Sequence, residues 1–376
     1  MNDITIDKTG WKKWRFDEFA QNISERVEPS QTDMDVYVGL EHIDPDTLHL
    51  SRHGHPNDVE GTKLRFYKGD IIFGRRRAYQ RKTALATTDG ICSAHAMVLR
   101  AKEDVVDPSF FPFLFHSKQF IDMAITISVG GLSPTINWKD ISKQEFLLPP
   151  KSEQKRLAEL LWAADEMIEK EKRELEKAIL EMKCVMHYFF QEKKDLKPIK
   201  YFGNVFTGST PSTKNVNYWD GEYPFLTPSE IVDTLKPLKS NRTVTEDGLN
   251  ASRTIQKGDV LVTCVGEIGR LTIADQTCCA NQQINIISPY NKHVDSLFLY
   301  YNIIHHKDTF VNNSTRSVVP ILVKSTFEEI LIPDFPISIK KQFLLKMEVF
   351  ENLQQMAKSQ ISLSQQLKQE LINKIF

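Results

Sequence analysis

The sequence predicts an α+β protein that contains one α/β unit twice, with a long helix after each copy. Three observations lead to this prediction: a heptad stripe between Ser152 and Phe190, a second stripe near the end of the chain, and residue matches at a nearly constant offset. With 376 residues, 41% of them hydrophobic, the chain is long enough for two folded domains. We expect the helices to pair as an antiparallel coiled coil and the units to be related by a pseudo-twofold axis.

The first long helix is predicted from ten positions that are spaced alternately four and three residues apart. No glycine or proline interrupts the stretch, and charged residues fill many of the positions between. Glu171 is the only polar member of the stripe. The stripe comprises Leu157, Leu161, Ala164, Ile168, Glu171, Leu175, Ala178, Met182, Val185 and Phe189.

The predicted partner stripe lies in residues 338–376 and shows the same alternation. Gln360 interrupts this stripe as Glu171 interrupts the first, and polar residues at such positions commonly set the register of a coiled coil at some cost in stability. We therefore expect this stripe to form the contact between the helices. It comprises Val349, Leu353, Met356, Gln360, Leu363 and Leu367, and then drifts to Leu371 and Ile375.

Internal matches predict that the globular unit is duplicated. Lys68-Gly69-Asp70 and the apolar residues after it match Lys257-Gly258-Asp259 at an offset of 189. Further matches at offsets of 188 or 189 pair Glu41 with Glu230, Asp107 with Asp295, and Gln154 with Gln342. The predicted boundaries are 1–150 for the first unit, 151–195 for the first helix, 196–337 for the second unit and 338–376 for the second helix.

Composition and charge narrow the class of protein. The net charge of −1 means that any nucleic-acid surface must be local. No apolar run approaches the ~18 residues needed to cross a bilayer, and the N-terminus lacks the pattern of a signal peptide. The five cysteines show no zinc-ligand spacing, which fits reduced thiols. We therefore expect a cytoplasmic protein without a membrane partner.

The densest charge cluster follows a strand predicted at Asp70–Gly74 and includes three consecutive arginines. Arginines at a strand end can neutralise phosphates and pair bidentately with guanine, although a solvated basic loop is the alternative. Ser93 and His95, in a stretch predicted as a strand, align with the amide run of the second unit and are added to the candidates. The candidate DNA-contacting residues of the first unit are Lys63, Arg65, Arg75, Arg76, Arg77, Tyr79, Arg81, Lys82, Ser93 and His95.

The second unit has different polar residues at the corresponding places. Asn281-Gln282-Gln283 aligns with Ser93-Ala94-His95, and Asn and Gln pair bidentately with adenine, but such runs are also common in turns. Gly208–Pro211 and the following Lys214 either contact phosphate or form an ordinary turn. The candidates of the second unit are Gly208, Thr210, Lys214, Arg270, Asn281, Gln282, Gln283 and Arg316, the last in a loop that a plain surface role fits equally well.

Motifs of the common enzyme classes are missing from the sequence. There is no GxxxxGK[ST] loop and no GxGxxG after a strand. His49, His53 and His55 have no accompanying cysteine or carboxylate set, so we expect no metal site. We expect a protein that is not an enzyme and carries no cofactor, and a self-sufficient nuclease or methyltransferase remains a weaker alternative.

Two motifs resemble those of a known family, the specificity (S) subunit of Type I restriction-modification systems. Leu-Pro-Pro-Lys-Ser-Glu-Gln at 148–154 leads into the first long helix. Gly-Ser-Thr-Pro at 208–211 is followed by Tyr-Trp-Asp-Gly at 218–221. The resemblance covers essentially the whole chain, although the second connector departs from the pattern, with Lys341 where Glu153 stands.

The resemblance implies a non-catalytic, sequence-specific DNA-recognition subunit. Each unit would be a target recognition domain that reads one half of a bipartite, interrupted site on double-stranded DNA, and the helices would set the gap. The implied partners are methyltransferase (modification) subunits, two in number, docked on the helices, and nuclease-translocase (restriction) subunits. A coiled-coil adaptor that binds other proteins through its globular ends is the alternative from another class.

Overall fold

The chain forms two compact units in the computed structural model, and each long helix contributes one segment to each unit. Unit 1 is Met1–Glu174 with Ala357–Phe376, and unit 2 is Leu175–Met356. Residues 192–194 of the predicted first helix region lie outside the described residues. The structure describes residues 6–191, 195–233, 235 and 238–376.

Unit 1 combines small sheets with short helices. The strands are β1 (Lys12–Arg15), β2 (Ala20–Ile23), β3 (Arg26–Val27), β4 (Tyr37–Val38), β5 (Lys63–Phe66), β6 (Ile71–Phe73), β7 (Thr83–Leu85), β8 (Gly90–Cys92), β9 (Met97–Ala101) and β10 (Glu145–Leu148). The short helices are α1 (Phe16–Phe19), α2 (Phe111–Leu114), α3 (Lys118–Thr126) and α4 (Trp138–Ile141). The sheets have the orders β2-β9-β6-β7, β3-β5-β8-β4 and β1-β10. The long helix α5 (Lys151–Gln191) follows.

Unit 2 repeats the first and third of these sheets, and its second sheet has three strands rather than four. Its strands are β11 (Leu196–Pro198), β12 (Gly203–Thr207), β13 (Trp219–Leu226), β14 (Arg242–Val244), β15 (Val260–Thr263), β16 (Leu271–Ile273), β17 (Cys279–Ala280), β18 (Ile284–Pro289) and β19 (Leu331–Pro333). Its helices are α6 (Glu246–Asn250), α7 (Lys292–His305), α8 (Lys307–Asn312) and α9 (Lys324–Phe327). The sheets have the orders β12-β18-β15-β16, β14-β13-β17 and β11-β19. The long helix α10 (Ile337–Ile375) follows.

The predicted α+β fold with two similar units is confirmed, since the repeat extends to strand register. In unit 1, β4 runs parallel to β8 with Val38 opposite Cys92. In unit 2, β13 runs parallel to β17 with Leu226 opposite Ala280. Parallel pairing requires a long crossover connection rather than a hairpin, so its recurrence at one offset marks the same topology.

The Lys-Gly-Asp match is one turn that occurs in both units. The glycine takes a positive φ in each, +93° at Gly69 and +88° at Gly258, which a residue without a Cβ adopts most readily. The aspartate accepts a hydrogen bond from the backbone N–H three residues earlier, 2.9 Å at Asp70 and 2.8 Å at Asp259. The strand that follows each turn is buried, and the turn therefore fixes where β6 and β15 begin.

The main core of unit 1 is rich in phenylalanine. Phe16 and Phe19 on α1 pack edge to face at a centroid distance of 5.2 Å, and Phe115 packs on Phe120 at 4.7 Å. These side chains are fully buried, and burying each one contributes roughly 1.5–3 kcal/mol. The helices α5 and α10 add apolar residues to this core, among them Leu161 and Ile372. The core thus fixes the long helices to the sheets.

The long helices run antiparallel within each unit, as predicted. In unit 1, Glu171 of α5 accepts a hydrogen bond of 3.1 Å from Ser364 of α10. In unit 2, Phe189 of α5 stacks on Phe343 of α10 with a centroid distance of 4.1 Å. The predicted α5 stripe, Leu157 to Phe189, is buried or half-buried throughout, so it is the seam face of this helix.

The predicted stripe on α10 is wrong as a helix contact. From Val349 to Leu367 its side chains are exposed, with 57% exposure at Val349 and 68% at Met356. The face of α10 that packs on α5 includes three polar residues. Hydrophobic periodicity in the sequence therefore does not identify this face as the helix contact. These packed residues, buried or half-buried, are Met347, Phe350, Gln354, Ala357, Ile361, Ser364 and Lys368.

The start of each long helix is anchored by different chemistry in the two units. The buried Gln154 side chain accepts a hydrogen bond of 2.7 Å from the Asp107 N–H and donates to the Pro149 and Val105 carbonyls. In unit 2 the expected match, Gln342, is exposed. Lys340 takes the anchoring role instead, with ion pairs of 2.9 Å to Asp295 and 2.8 Å to Asp334.

Within the part of the chain that the structure describes, no helix combines the length and the apolar character that crossing a membrane requires.

Candidate nucleic-acid interface

The three consecutive arginines of unit 1 leave the end of β6 and pair with a loop from a distant part of the chain. The Arg77 N–H donates to the Pro134 carbonyl at 2.7 Å, and the Ile136 N–H donates to the Arg75 carbonyl at 3.0 Å. Arg77 has φ +56°, a left-handed conformation that turns the chain out of the strand. The arginine segment is therefore held on both sides rather than being a loose basic loop.

The Arg76 and Arg77 guanidinium groups share one acceptor. Both donate to the Ser133 hydroxyl, at 3.1 Å and 3.2 Å respectively. Arg76 also lies 3.2 Å from Nε2 of His95. Burial lowers the pKa of His95, and the positive charges of Arg76 and Arg75 lower it further, which favours the neutral imidazole. In the described residues none of the three arginines forms an ion pair with a carboxylate. Arg77 is exposed, whereas Arg75 and Arg76 are half-buried and Nε of Arg75 is buried without a hydrogen-bond partner.

Other members of the predicted cluster hold unit 1 together. The Lys63 ammonium donates to the carbonyls of Glu60 and Gly61, and Lys82 donates to the Leu40 carbonyl. The remaining members have mixed surroundings. Arg81 forms an ion pair with Asp46 and a hydrogen bond with Gln369 of α10. Arg65 lies 3.8 Å from Glu25 and from Asp33. Ser93 is half-buried and Tyr79 is exposed.

Five candidate residues of unit 2 meet at the turn between β17 and β18, namely Gly208, Thr210, Asn281, Gln282 and Gln283. The Gly208 N–H donates to the Ile284 carbonyl at 3.0 Å. A Cβ at Gly208 would lie 2.3 Å from the backbone carbonyl oxygen of Asn281. Only glycine permits this approach. The Thr210 hydroxyl then donates to Oε1 of Gln282 at 2.8 Å, which joins the two predicted segments into one polar surface.

Hydrogen bonds between side chains of this turn fix their orientation. Nδ2 of Asn281 donates to Oε1 of Gln283 at 3.1 Å, and the Gln283 N–H donates to Oδ1 of Asn281 at 3.0 Å. Lys214 and Arg316 are exposed. Arg270 is directed inward, because it donates to the Pro228 carbonyl at 2.6 Å and pairs with Glu267.

Sequence reasoning missed several residues of these surfaces. Ser133 gave no signal, because a serine in a loop acquires meaning only when distant arginines converge on it. Arg253 was also missed: its N–H donates to the Ser209 hydroxyl at 2.8 Å and its guanidinium to the Thr207 carbonyl at 2.7 Å. Arg242 lies 3.8 Å from the ring centroid of Trp219, in the Tyr-Trp-Asp-Gly motif. This motif could have directed attention to a stacked cation.

The three histidines weighed as metal ligands have other contacts. His49 hydrogen-bonds Asp165 at 2.5 Å, and His55 caps a short turn by accepting from the Asn57 N–H. Among the described residues no group of three His, Cys, Asp or Glu side chains is placed to hold a metal ion. The polar surfaces of the two units offer donors and amides, which suit recognition of phosphates and base edges.

Comparison with known proteins gives a family match over most of the chain. A family model described as "Type I restriction modification DNA specificity domain" matches residues 57–180 and 191–373. The MjaIX specificity subunit of a Type I restriction enzyme from Methanocaldococcus jannaschii is 30% identical over 48% of this chain and 43% of its own length. The EcoDI specificity subunit from Escherichia coli is 31% identical over 43% of this chain and 37% of its own length. The chain thus spans less than half the length of these two relatives.

A longer alignment and two solved structures cover nearly the entire chain. A putative MjaX specificity subunit, also from M. jannaschii, is 20% identical over 89% of this chain and 84% of its own length. A structure reported for complex assembly and conformational transition of the type I R-M system has a TM-score of 0.68 at 18% identity and covers 98% of this chain and 97% of that one. The Type-I restriction-modification S subunit from M. genitalium has a TM-score of 0.57 at 15% identity, with 100% and 97% covered. At such identities these structures support the fold alone.

Proposed function

The chain belongs to the family of Type I restriction modification DNA specificity domains, and we propose that it is the sequence-specific DNA-recognition subunit of such a system. One observation carries this proposal. Each of two similar units presents groups that can read bases at a strand end, guanidinium groups of Arg76 and Arg77 beyond β6 in unit 1 and amides of Asn281 and Gln282 beyond β17 in unit 2, and the equivalent positions of the other unit carry different residues.

Each unit is proposed to read one half of a bipartite, interrupted site on double-stranded DNA. Arginine pairs bidentately with guanine O6 and N7, whereas asparagine and glutamine pair bidentately with adenine N6 and N7. A duplicated scaffold with different side chains at equivalent places is suited to two different half-sites. We propose 1–150 and 196–337 as the recognition domains and the helical regions 151–195 and 338–376 as the spacer between them.

The chain is proposed to contribute recognition and no catalysis, and to need no cofactor of its own. Methyl transfer would be performed by methyltransferase subunits, proposed as two, and cleavage by nuclease-translocase subunits. The exposed apolar residues of α10 support docking of a partner on this helix. In unit 2, Val349, Leu353 and Met356 form a stripe with exposures of 57%, 50% and 68%, which is unusual for a helix that needs no partner.

Methylome sequencing tests the proposal directly. Cells that carry the gene together with its methyltransferase partner should contain a bipartite methylated motif that disappears when this gene is deleted. Arg76→Ala with Arg77→Ala should change only one half of the motif, and Asn281→Ala with Gln282→Ala only the other. A motif that persists without the gene, or that both variants alter in the same half, would refute the proposal.

Salt dependence separates DNA recognition from a protein adaptor. Binding that releases counterions from phosphates weakens steeply as the salt concentration rises. An adaptor without DNA specificity would show equal and weak binding to duplexes with and without the motif.

A further inference from the structure

One loop of each unit folds as the same tight hairpin against a strand end. In unit 1 the Val129 and Thr135 backbones exchange two hydrogen bonds of 3.0 Å. In unit 2 the Thr315 N–H donates to the Ile321 carbonyl at 2.9 Å. The loops share only their serine and proline, at 128 and 134 in unit 1 and at 314 and 320 in unit 2, so the geometry is preserved while most of the sequence differs.

Each hairpin is fixed to its strand end by two further backbone hydrogen bonds. The first joins the Arg77 N–H to the Pro134 carbonyl at 2.7 Å, and in unit 2 the Gly266 N–H to the Pro320 carbonyl at 2.9 Å. The second hydrogen bond is accepted by a backbone carbonyl just beyond the buried strand. In unit 1 this is the Arg75 carbonyl, at 3.0 Å, and the equivalent bond in unit 2 measures 2.8 Å. A hairpin held at this many points presents its tip in one position.

The tip of each hairpin carries an apolar side chain that is fully open to solvent. Leu132 is 96% exposed and Val318, at the corresponding place, is 104% exposed. A single exposed apolar residue needs no explanation. Here two exposed apolar residues occupy the same place in the two units, on hairpins that are held firmly and whose other residues differ. This recurrence indicates a surface that contacts another molecule.

We propose that Leu132 and Val318 are apolar base-contacting residues, each of which inserts into the DNA groove at the half-site read by its own unit. This inference rests on the proposed DNA recognition. Apolar side chains recognise the thymine methyl group in the major groove and wedge between base steps in the minor groove.

The charge around the tips favours DNA over a protein partner. Ser133, next to Leu132, is the residue on which the Arg76 and Arg77 guanidinium groups converge. Arg316 lies two residues before Val318 and is exposed. Arg76, Arg77 and Arg316 form no ion pair with any residue that the structure describes. An apolar tip beside such arginines suits DNA, which carries negative phosphates outside and apolar base surfaces inside its grooves.

Binding of the purified complex to defined duplexes tests this proposal. The complex is this chain with its methyltransferase subunits, and the duplexes contain the motif found by methylome sequencing, either intact or with one half scrambled. Leu132→Ser should weaken binding to the intact duplex roughly tenfold, the effect of removing one contact to a base. It should leave binding unchanged when the half read by unit 1 is already scrambled. Val318→Ser should behave in the same way for the other half.

Matched variants separate base contact from general effects. Leu132→Met keeps an apolar tip and should restore most of the affinity. Tyr290→Ser alters a side chain that is 77% exposed elsewhere in unit 2 and should not change DNA affinity.

Three outcomes would overturn the proposal. The first is an equal decrease in affinity on intact and scrambled duplexes, and the second is no decrease with either serine variant. The third is dissociation of the methyltransferase subunits in size-exclusion chromatography, which would assign the tips to protein docking. If scrambling a half-site does not affect wild-type binding, DNA recognition itself fails, and the two failures are therefore distinguishable.

Discussion

Asp165 of helix α5 and Lys368 of helix α10 form an ion pair of 2.7 Å inside unit 1, with side-chain exposures of only 3% and 8%. The other Asp165 oxygen contacts Nε2 of His49 at 2.5 Å. Burial alone would raise the pKa of Asp165, but the His49 hydrogen bond and the Lys368 charge lower it to about 2. A buried polar pair of this kind favours one register of the two helix segments.

Removing one member of this pair should destabilise the chain strongly. Lys368→Met leaves the buried Asp165 carboxylate with the half-exposed His49 as its partner. We expect the free energy of unfolding to fall by about 3 kcal/mol. Asp165→Leu combined with Lys368→Leu should stay within about 1 kcal/mol of the wild type, because no charge remains buried. Urea unfolding followed by circular dichroism measures both. Lys172→Met, which breaks a more exposed pair with Glu169, is the control and should change stability by less than about 0.5 kcal/mol. Equal destabilisation of the single and double variants would contradict this account.

Unit 1 should lose stability in mild acid because of His116. Burial and the nearby Lys368 charge lower the pKa of this imidazole to about 4, against about 6.5 in the unfolded chain. Between these values the unfolded chain binds a proton that the folded chain does not. The stabilising contribution is therefore complete above pH 6.5 and falls as the pH drops toward 4, by roughly 2 kcal/mol at pH 5.

Unfolding at pH 7.5 and pH 5 measures this decrease. His49 acts in the opposite sense, because its hydrogen bond to Asp165 raises its pKa, but it is half-exposed and its effect is smaller. His116→Gln should be less sensitive to pH than the wild type. An unchanged pH dependence in this variant would assign the effect to other groups.

The two faces of α10 should respond differently to substitution. Leu353→Glu alters a half-exposed side chain, so we expect a stability change within about 0.5 kcal/mol and a loss of binding to the methyltransferase subunits. Met347→Ala removes a fully buried side chain and should cost about 2–5 kcal/mol. Thermal unfolding and co-purification measure the two effects. A large destabilisation by Leu353→Glu would contradict this account, because it would place Leu353 in the contact between the two helices.

The arginines of unit 1 should dominate its salt dependence. Replacing Arg75, Arg76 and Arg77 with alanine should lower the slope of log affinity against log salt by roughly 0.9 for each phosphate that is no longer neutralised. Fluorescence anisotropy with a labelled duplex, over a series of salt concentrations, gives this slope. Lys12→Ala with Lys13→Ala removes exposed charge on β1 and should leave the slope unchanged. An equal change in both variants would indicate a general effect of net charge.

Gly208→Ala should damage the recognition surface of unit 2 while leaving that of unit 1 intact. The new Cβ would lie 2.3 Å from the backbone carbonyl oxygen of Asn281, so the turn that carries Gln282 must shift. We expect methylation to lose specificity at only one half of the motif. Tyr290→Ser, which alters an exposed side chain of unit 2 outside this turn, is the control. A fully specific methylome in the Gly208→Ala strain would contradict the predicted role of this turn.

The sequence alone determined the duplicated α+β plan, the seam face of α5 and the position of the arginines at the end of a strand. Each of these depends on local order: a heptad spacing, a turn that requires glycine near Asp70 and Asp259, or charges that follow an apolar run. Periodicity read in this way was sufficient for α5, because most residues facing its partner, apart from Asp165 and Glu171, are apolar.

Tertiary structure decided which face of α10 is buried, and that Lys340 rather than Gln342 anchors this helix. Hydrophobic periodicity favoured the stripe through Leu353, while the packed face contains Gln354, Ser364 and Lys368. Those polar residues are buried because particular groups on α5, such as Asp165 and Glu171, satisfy them. The convergence of Arg76 and Arg77 on Ser133 is of the same kind. Such pairings join residues far apart in the chain, so their energies appear only once the fold has brought the partners together.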